Sequence, residues 1–233
     1  MLNNRLIRHT ARYSGRGGFT LVELLVVIGI IAILAGVALG PITNGIKKAQ
    51  QSGGVQTSRT LALAEFQYAN DNNQNYPDKG TPNSLGAGDA TDVAACLIAG
   101  GYVTDPAIFV ISGSSEKKYT GTMTGTPTIG LTNISWDFVG NSATGNPGIN
   151  PNTPDTTPVI LSSSPVTGAN IVAAGAPTTV QLVATNPFGL NGIAVAYKSN
   201  SAKFITAPAS GICTLFDTSY PGWTAASKLA GGG

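Results

Sequence analysis

The chain has 233 residues, of which 42% are hydrophobic and only 10% charged, with 30 glycines, 14 prolines, two cysteines and a formal net charge of +2. Folded soluble domains carry roughly 25% charged residues, so Ser, Thr, Asn and Gly must keep this surface wet, which argues against an ordinary cytosolic enzyme. The length allows one domain with at most an appendage, and the apolar content excludes a wholly disordered chain.

Charge divides at residue 18. Arg5, Arg8, Arg12 and Arg16 give the first 18 residues +4 with no acid, whereas residues 19–233 carry nine bases against all eleven acids, a net of −2. A field this weak and diffuse does not attract phosphate, so no nucleic-acid partner is expected.

Phe19–Leu39 follows the basic leader and reads FTLVELLVVIGIIAILAGVAL, in which Glu23 is the only charge and Thr20 the only other polar side chain. At about 1.5 Å per residue this run spans roughly 30 Å, the thickness of a bilayer's hydrocarbon core. The arginines before it predict a cytoplasmic N-terminus and place everything after Leu39 on the outer face. A cleaved secretory signal needs a shorter apolar stretch followed by a small-x-small cleavage site, and Gly40-Pro41-Ile42 is a poor one. A plain signal anchor fits the length but leaves Glu23 unexplained, because an acid inside a membrane helix costs about 2.5–3.5 kcal/mol on insertion scales and usually marks function.

The boundary itself reads Arg16-Gly17-Gly18-Phe19-Thr20-Leu21-Val22-Glu23. A short basic leader ending in Gly, then Phe, then an acid at the fifth position of an unbroken apolar run, resembles the signal of type IV pilins and type II secretion pseudopilins. The resemblance implies cleavage between Gly18 and Phe19 by a membrane prepilin peptidase, which also methylates the new Phe19 amine. It implies further that Glu23 serves assembly, facing the Phe19 amine of a neighbour within a bundle of identical helices. The implied partners are copies of the same chain, other pseudopilins or pilins, an inner-membrane assembly platform and membrane lipid. The implied location is single-pass in the inner membrane, with the C-terminal domain periplasmic and, after assembly, in an extracytoplasmic filament.

Gly36, Gly40 and Pro41 predict a bend or partial melting where the apolar run ends. Beyond them, Ile42, Ile46, Ala49 and Gly53, then Val55, Ala62, Phe66 and Ala69, recur at helical spacing, although Gly53-Gly54 interrupts the pattern. A helix from Phe19 to about Asn73 is expected, amphipathic over 40–75 and ending in the turn-rich FQYANDNNQNYPDKGTP. Within that ending, Tyr68, Asp71, Asn72, Tyr76 and Pro77 resemble the end of the long helix in major pseudopilins, which favours the secretion branch.

The remainder, 76–233, reads as an α+β head. TDVAACLIAG at 91–100 predicts a short helix capped by Thr91 and stopped by Gly100. Ile134, Trp136 and Phe138 alternate with Ser135 and Asp137, the period of a half-buried strand. Further strands are expected at Val159–Leu161, Val180–Ala184 and Ile193–Tyr197, the last forming a hairpin with Ala202–Thr206. The fold class is therefore α+β: a long N-terminal helix, membrane-spanning in its first half, packed on a C-terminal antiparallel sheet. Gly140–Pro158, rich in Gly, Asn and Pro, reads as a surface loop, and the Gly231–Gly233 tail as frayed.

Chemistry-bearing motifs are sparse. The sole histidine, His9, lies in the leader, which excludes His-based catalysis and His metal ligands after processing. No phosphate loop, dinucleotide fingerprint or G-x-S-x-G elbow occurs. The acids of the head are scattered singly, so no cofactor is expected; some major pseudopilins bind calcium, but no ligands are assigned here. Cys96 and Cys213 would both face an oxidising compartment, leaving open a disulfide between them or two buried thiols. The expected function is structural, a pseudopilin of a type II secretion filament, with a type IV pilus or competence pilin as the alternative. A membrane-anchored binding protein or enzyme is the competing class.

Overall fold

The computed structural model describes residues 18–78, 81, 83–123, 125, 127–139, 149–162, 178–182, 184, 186–216 and 228–229. The expected leader, the first part of the 140–158 loop and the Gly231–Gly233 tail lie outside them. The chain divides into two compact units, Met1–Ile46 and Lys47–Gly233.

Helix α1 runs from Leu21 to Asp71 without interruption, with Pro41 inside it. The expected melting around Gly36–Pro41 is therefore not found. A proline removes one backbone donor, and beside it the Thr43 hydroxyl donates to the Gly40 carbonyl at 2.9 Å. Nor does Gly53-Gly54 break the helix. Gly53 has open space where a side chain would be, whereas a Cβ on Gly54 would overlap the ring of Phe188. Gly54 is thus a point of close approach between α1 and Phe188.

The buried face of α1 comprises Gly54, Ser58, Leu61, Ala62, Ala64, Glu65, Tyr68 and Ala69. The expected stripe is corrected over its whole first part, where Ile42, Ile46, Ala49 and Gly53 are exposed, and again at Phe66. Phe66 points outward at 40% exposure, and Ile42 and Ile46 are more than half exposed. Periodicity was misleading because two members of the true face, Ser58 and Glu65, are polar.

Helix α2, Ala90–Ala99, is buried along nearly its whole length. Its cap is Asp89 rather than Thr91: the Asp89 carboxylate accepts from the Thr91 amide at 2.9 Å and from the Thr91 hydroxyl. An anionic oxygen satisfies orphan helix donors better than a hydroxyl and also favours the positive end of the helix dipole. At the other end Gly100 stays right-handed, and Gly101, at φ +75°, supplies the left-handed turn.

Among the described residues seven strands follow: β1 Trp136–Val139, β2 Pro158–Ser162, β3 Thr178–Gln181, β4 Gly192–Tyr197, β5 Ala202–Thr206, β6 Ile212–Phe216 and β7 Lys228–Leu229. Five form one antiparallel sheet in the order β5-β4-β2-β1-β7, and β3 pairs with β6 in a second. The expected hairpin is β4–β5, closed by a turn in which Asn200 takes φ +59°. Strand β3 begins and ends earlier than expected, with Ala184 in a turn, and β6 was not foreseen.

β1 is buried on both faces, not one. Ser135 and Asp137 are 0% and 1% exposed. Ser135 is accommodated because its hydroxyl donates to Glu116 Oε2 at 2.8 Å and accepts from the Ile111 amide at 3.1 Å. The Trp136 indole donates to the Ile108 carbonyl at 3.0 Å. Leu61, Tyr68, Leu97, Phe109, Trp136, Phe138, Ile160 and Val195 belong to one continuous core of α1, α2 and the sheet. In its described part the loop expected at 140–158 lies at the surface, with Pro151, Asn152, Pro154, Asp155 and Thr156 exposed, and is pinned there by Ile149, Thr153 and Thr157, which are 5% exposed or less.

Candidate processing and assembly site

The features that point to processing lie in the first turn of α1. Gly18, Phe19 and Thr20 precede the helix in extended chain, all exposed. Phe19 is 82% exposed. A Cβ on Gly18 would meet nothing within 4 Å, and its backbone is not left-handed. Among the described residues nothing crowds position 18.

Thr20 and Glu23 are joined by three hydrogen bonds. Glu23 Oε2 accepts from the Thr20 amide at 2.8 Å and from the Thr20 hydroxyl at 2.8 Å, while the Glu23 amide donates to Thr20 Oγ1 at 3.3 Å. This is a reciprocal capping box, with the N-cap hydroxyl serving the third helical amide and the third residue's carboxylate reaching back to the N-cap amide. Sequence reasoning treated Thr20 as an incidental polar residue. The signal was present in the Thr-x-x-Glu spacing immediately before an apolar run. Glu23 therefore caps its own helix through Oε2, and among the described residues Oε1 has no hydrogen-bond donor.

From Phe19 to Leu39 every large apolar side chain is exposed, between 47% and 82%. Among the described residues α1 is the one helix long and apolar enough to cross a membrane, and the apolar window that qualifies it buries nothing within the chain.

Residues 13–39 match the family model of the prokaryotic N-terminal methylation motif. The chain carries a prepilin-type signal. The match covers the Gly18-Phe19 junction, Glu23 and the whole apolar run, which are the residues that carried the resemblance seen in the sequence. No curated protein and no solved structure matches the chain. A signal of this kind implies processing by a prepilin peptidase and assembly with other subunits that carry it, and among the described residues one helix is long and apolar enough to anchor the chain in a membrane.

The remaining sequence candidates lie far from this motif along the chain. Cys96 is on α2 and Cys213 on β6, both buried, and no disulfide joins them. Each sulfur is engaged separately: Cys96 Sγ lies 3.2 Å from Thr81 Oγ1, and the Cys213 thiol points to the Ile205 carbonyl at 3.9 Å. The disulfide considered from the sequence is thus replaced by two buried thiols with different neighbours. Burial pushes the Cys96 thiol up to about 11 and raises that of Cys213. Such thiols are poor nucleophiles at neutral pH. Among the described residues no group of three His, Cys, Asp or Glu side chains is placed to hold a metal ion.

Proposed function

We propose that the chain is a pseudopilin, a structural subunit of the filament of a type II secretion system, inserted in the inner membrane with its head periplasmic. The observation that carries this reading is the prepilin-type signal on a helix whose first half, Phe19–Leu39, leaves its large apolar side chains exposed among the described residues. Such a helix is stable in lipid or in a bundle of like helices. Cleavage between Gly18 and Phe19 removes the cationic leader and leaves the apolar helix in place, so the product remains stored in the bilayer until a filament takes it up. The resemblance of Tyr68, Asp71, Asn72, Tyr76 and Pro77 to the helix end of major pseudopilins supports the secretion branch over a pilus.

The capping box supplies a mechanism for the transfer. In the stored subunit, Glu23 Oε2 is held by Thr20, which lessens the cost of a carboxylate in an apolar run. Oε1 is left to accept the methylated Phe19 amine of a neighbour, and that contact fixes the axial stagger between subunits. Glu23→Gln keeps the shape and removes the charge; Glu23→Leu also eases the fit in lipid. Both variants are expected to insert and to be processed normally, yet to enter filaments poorly. Processing, membrane level and incorporation measured together test this, and normal incorporation of Glu23→Leu would remove the role assigned to the charge. Loss of secretion on deleting the gene, with surface pili intact, separates the secretion filament from a pilus.

A further inference from the structure

Glu65 lies on the buried face of α1 at 1% exposure. Its Oε2 has no hydrogen-bond partner, and among the described residues it is in no salt bridge. An ionised carboxylate without a partner in such a place costs several kcal/mol, so burial favours the neutral acid. Burial alone raises the Glu65 carboxyl well above the ordinary carboxylate range.

The titratable neighbours of Glu65 are arranged so that none relieves this. Tyr76 is 5% exposed, and its phenol is raised by burial and then by the charges of Glu65 and Asp155. Asp155 has its own cation, Lys198, at 3.5 Å, and the Lys198 ammonium also donates to the Thr153 carbonyl at 2.6 Å and the Pro151 carbonyl at 3.4 Å. That cation is committed to the 151–155 segment. Tyr68, three residues on from Glu65, is influenced by Cys96 and Asp78 rather than by Glu65. The segment meets Tyr76 through its amide, which donates to the Ile149 carbonyl at 3.3 Å, and meets the β4–β5 turn through Lys198 N to Thr157 O at 2.9 Å and Ser199 N to Asp155 O at 3.0 Å.

We propose that Glu65 is a proton-operated latch on the head: as the neutral acid it lies sealed on the buried face of α1, and as the carboxylate it loosens that face from the core. The sign follows from linkage. A carboxyl raised in the folded state is without effect below its unfolded pKa, and above it each pH unit weakens folding, up to about tenfold per unit, until the folded pKa is passed. Raising the pH therefore opens the latch and lowering it closes the latch. The device belongs to the head and operates whether or not the chain assembles into a filament.

The test is thermal unfolding and hydrogen exchange of the processed full chain in detergent, from about pH 5 to pH 9, for wild type and Glu65→Gln. Wild type is expected to lose stability with rising pH, and Glu65→Gln to lose that slope. Exchange at residues 61–69 of α1, corrected for its intrinsic pH dependence, should rise in wild type and stay level in the variant. Equal slopes in the two proteins would overturn the proposal. Should Glu65→Gln not fold, Glu65→Leu and the infrared band of a protonated carboxyl decide it: wild type lacking that band at neutral pH would equally overturn the latch.

Discussion

Gly54 and Phe188 are in such close contact that a β-carbon on the glycine would overlap the phenyl ring. Phe188 in turn meets Phe204 edge-on, with ring centroids 5.3 Å apart. The glycine is therefore the point at which α1 seats against an aromatic pair reaching from the sheet.

Neighbouring glycines should respond oppositely to an added side chain. Gly53 faces open space, so Gly53→Ala is expected to stabilise the protein by up to about 1 kcal/mol through helix propensity. Gly54→Val must displace Phe188 and is expected to cost about 1–3 kcal/mol, the usual range for overpacking. Denaturant unfolding of both variants checks this, and combining Gly54→Val with Phe188→Leu should recover part of the loss.

Cysteine counting gives a second prediction. With both thiols buried and not joined, the native protein should resist alkylation near neutral pH, and unfolding without reductant should reveal two reactive thiols. Mass spectrometry after labelling reads the number directly; finding none would mean a bridge that the fold does not contain.

The Asp71–Tyr102 contact provides a third. The Tyr102 hydroxyl donates to Asp71 Oδ2 at 2.7 Å, and its ring meets Tyr68 edge-on at 5.5 Å. Tyr102→Phe keeps the ring contact and loses only an exposed hydrogen bond, so it should cost less than about 1 kcal/mol, whereas Tyr102→Ala loses both and should cost more. Thermal unfolding of the two variants side by side distinguishes the ring from the hydroxyl.

What was legible in the sequence was what is local. Gly18, Phe19 and Glu23 announced themselves because a signal is read by other proteins as a linear string, and the β4–β5 hairpin because its turn chemistry is contiguous. The head was less legible where tertiary contacts overrule pattern. Glu65 looks like a solvated residue until α1 is seated, and Gly54 looks like a helix breaker until Phe188, more than a hundred residues later, fills the space beside it. Ser135 and Asp137 mimic the polar side of a half-buried strand, yet both are enclosed, Ser135 because Glu116 and the Ile111 amide satisfy it. The Thr20–Glu23 box was legible and was missed, because the charge in an apolar run drew attention away from the hydroxyl three residues before it.

The helix start is also open to test. Thr20→Ala removes the hydroxyl that serves the Glu23 amide and bonds its carboxylate, and N-cap hydroxyls hold the first turn of a helix. Faster amide exchange at residues 21–24 is expected, with exchange in the head unchanged.

The central claim, that this chain is processed as a pilin-like subunit, is tested most directly by the intact mass of the protein extracted from membranes that contain a prepilin peptidase. The account predicts a chain that has lost residues 1–18, begins at Phe19 and carries one added methyl group on its amine. A membrane-extracted chain that still begins at Met1 or Leu2, with the peptidase active on other substrates, would contradict it.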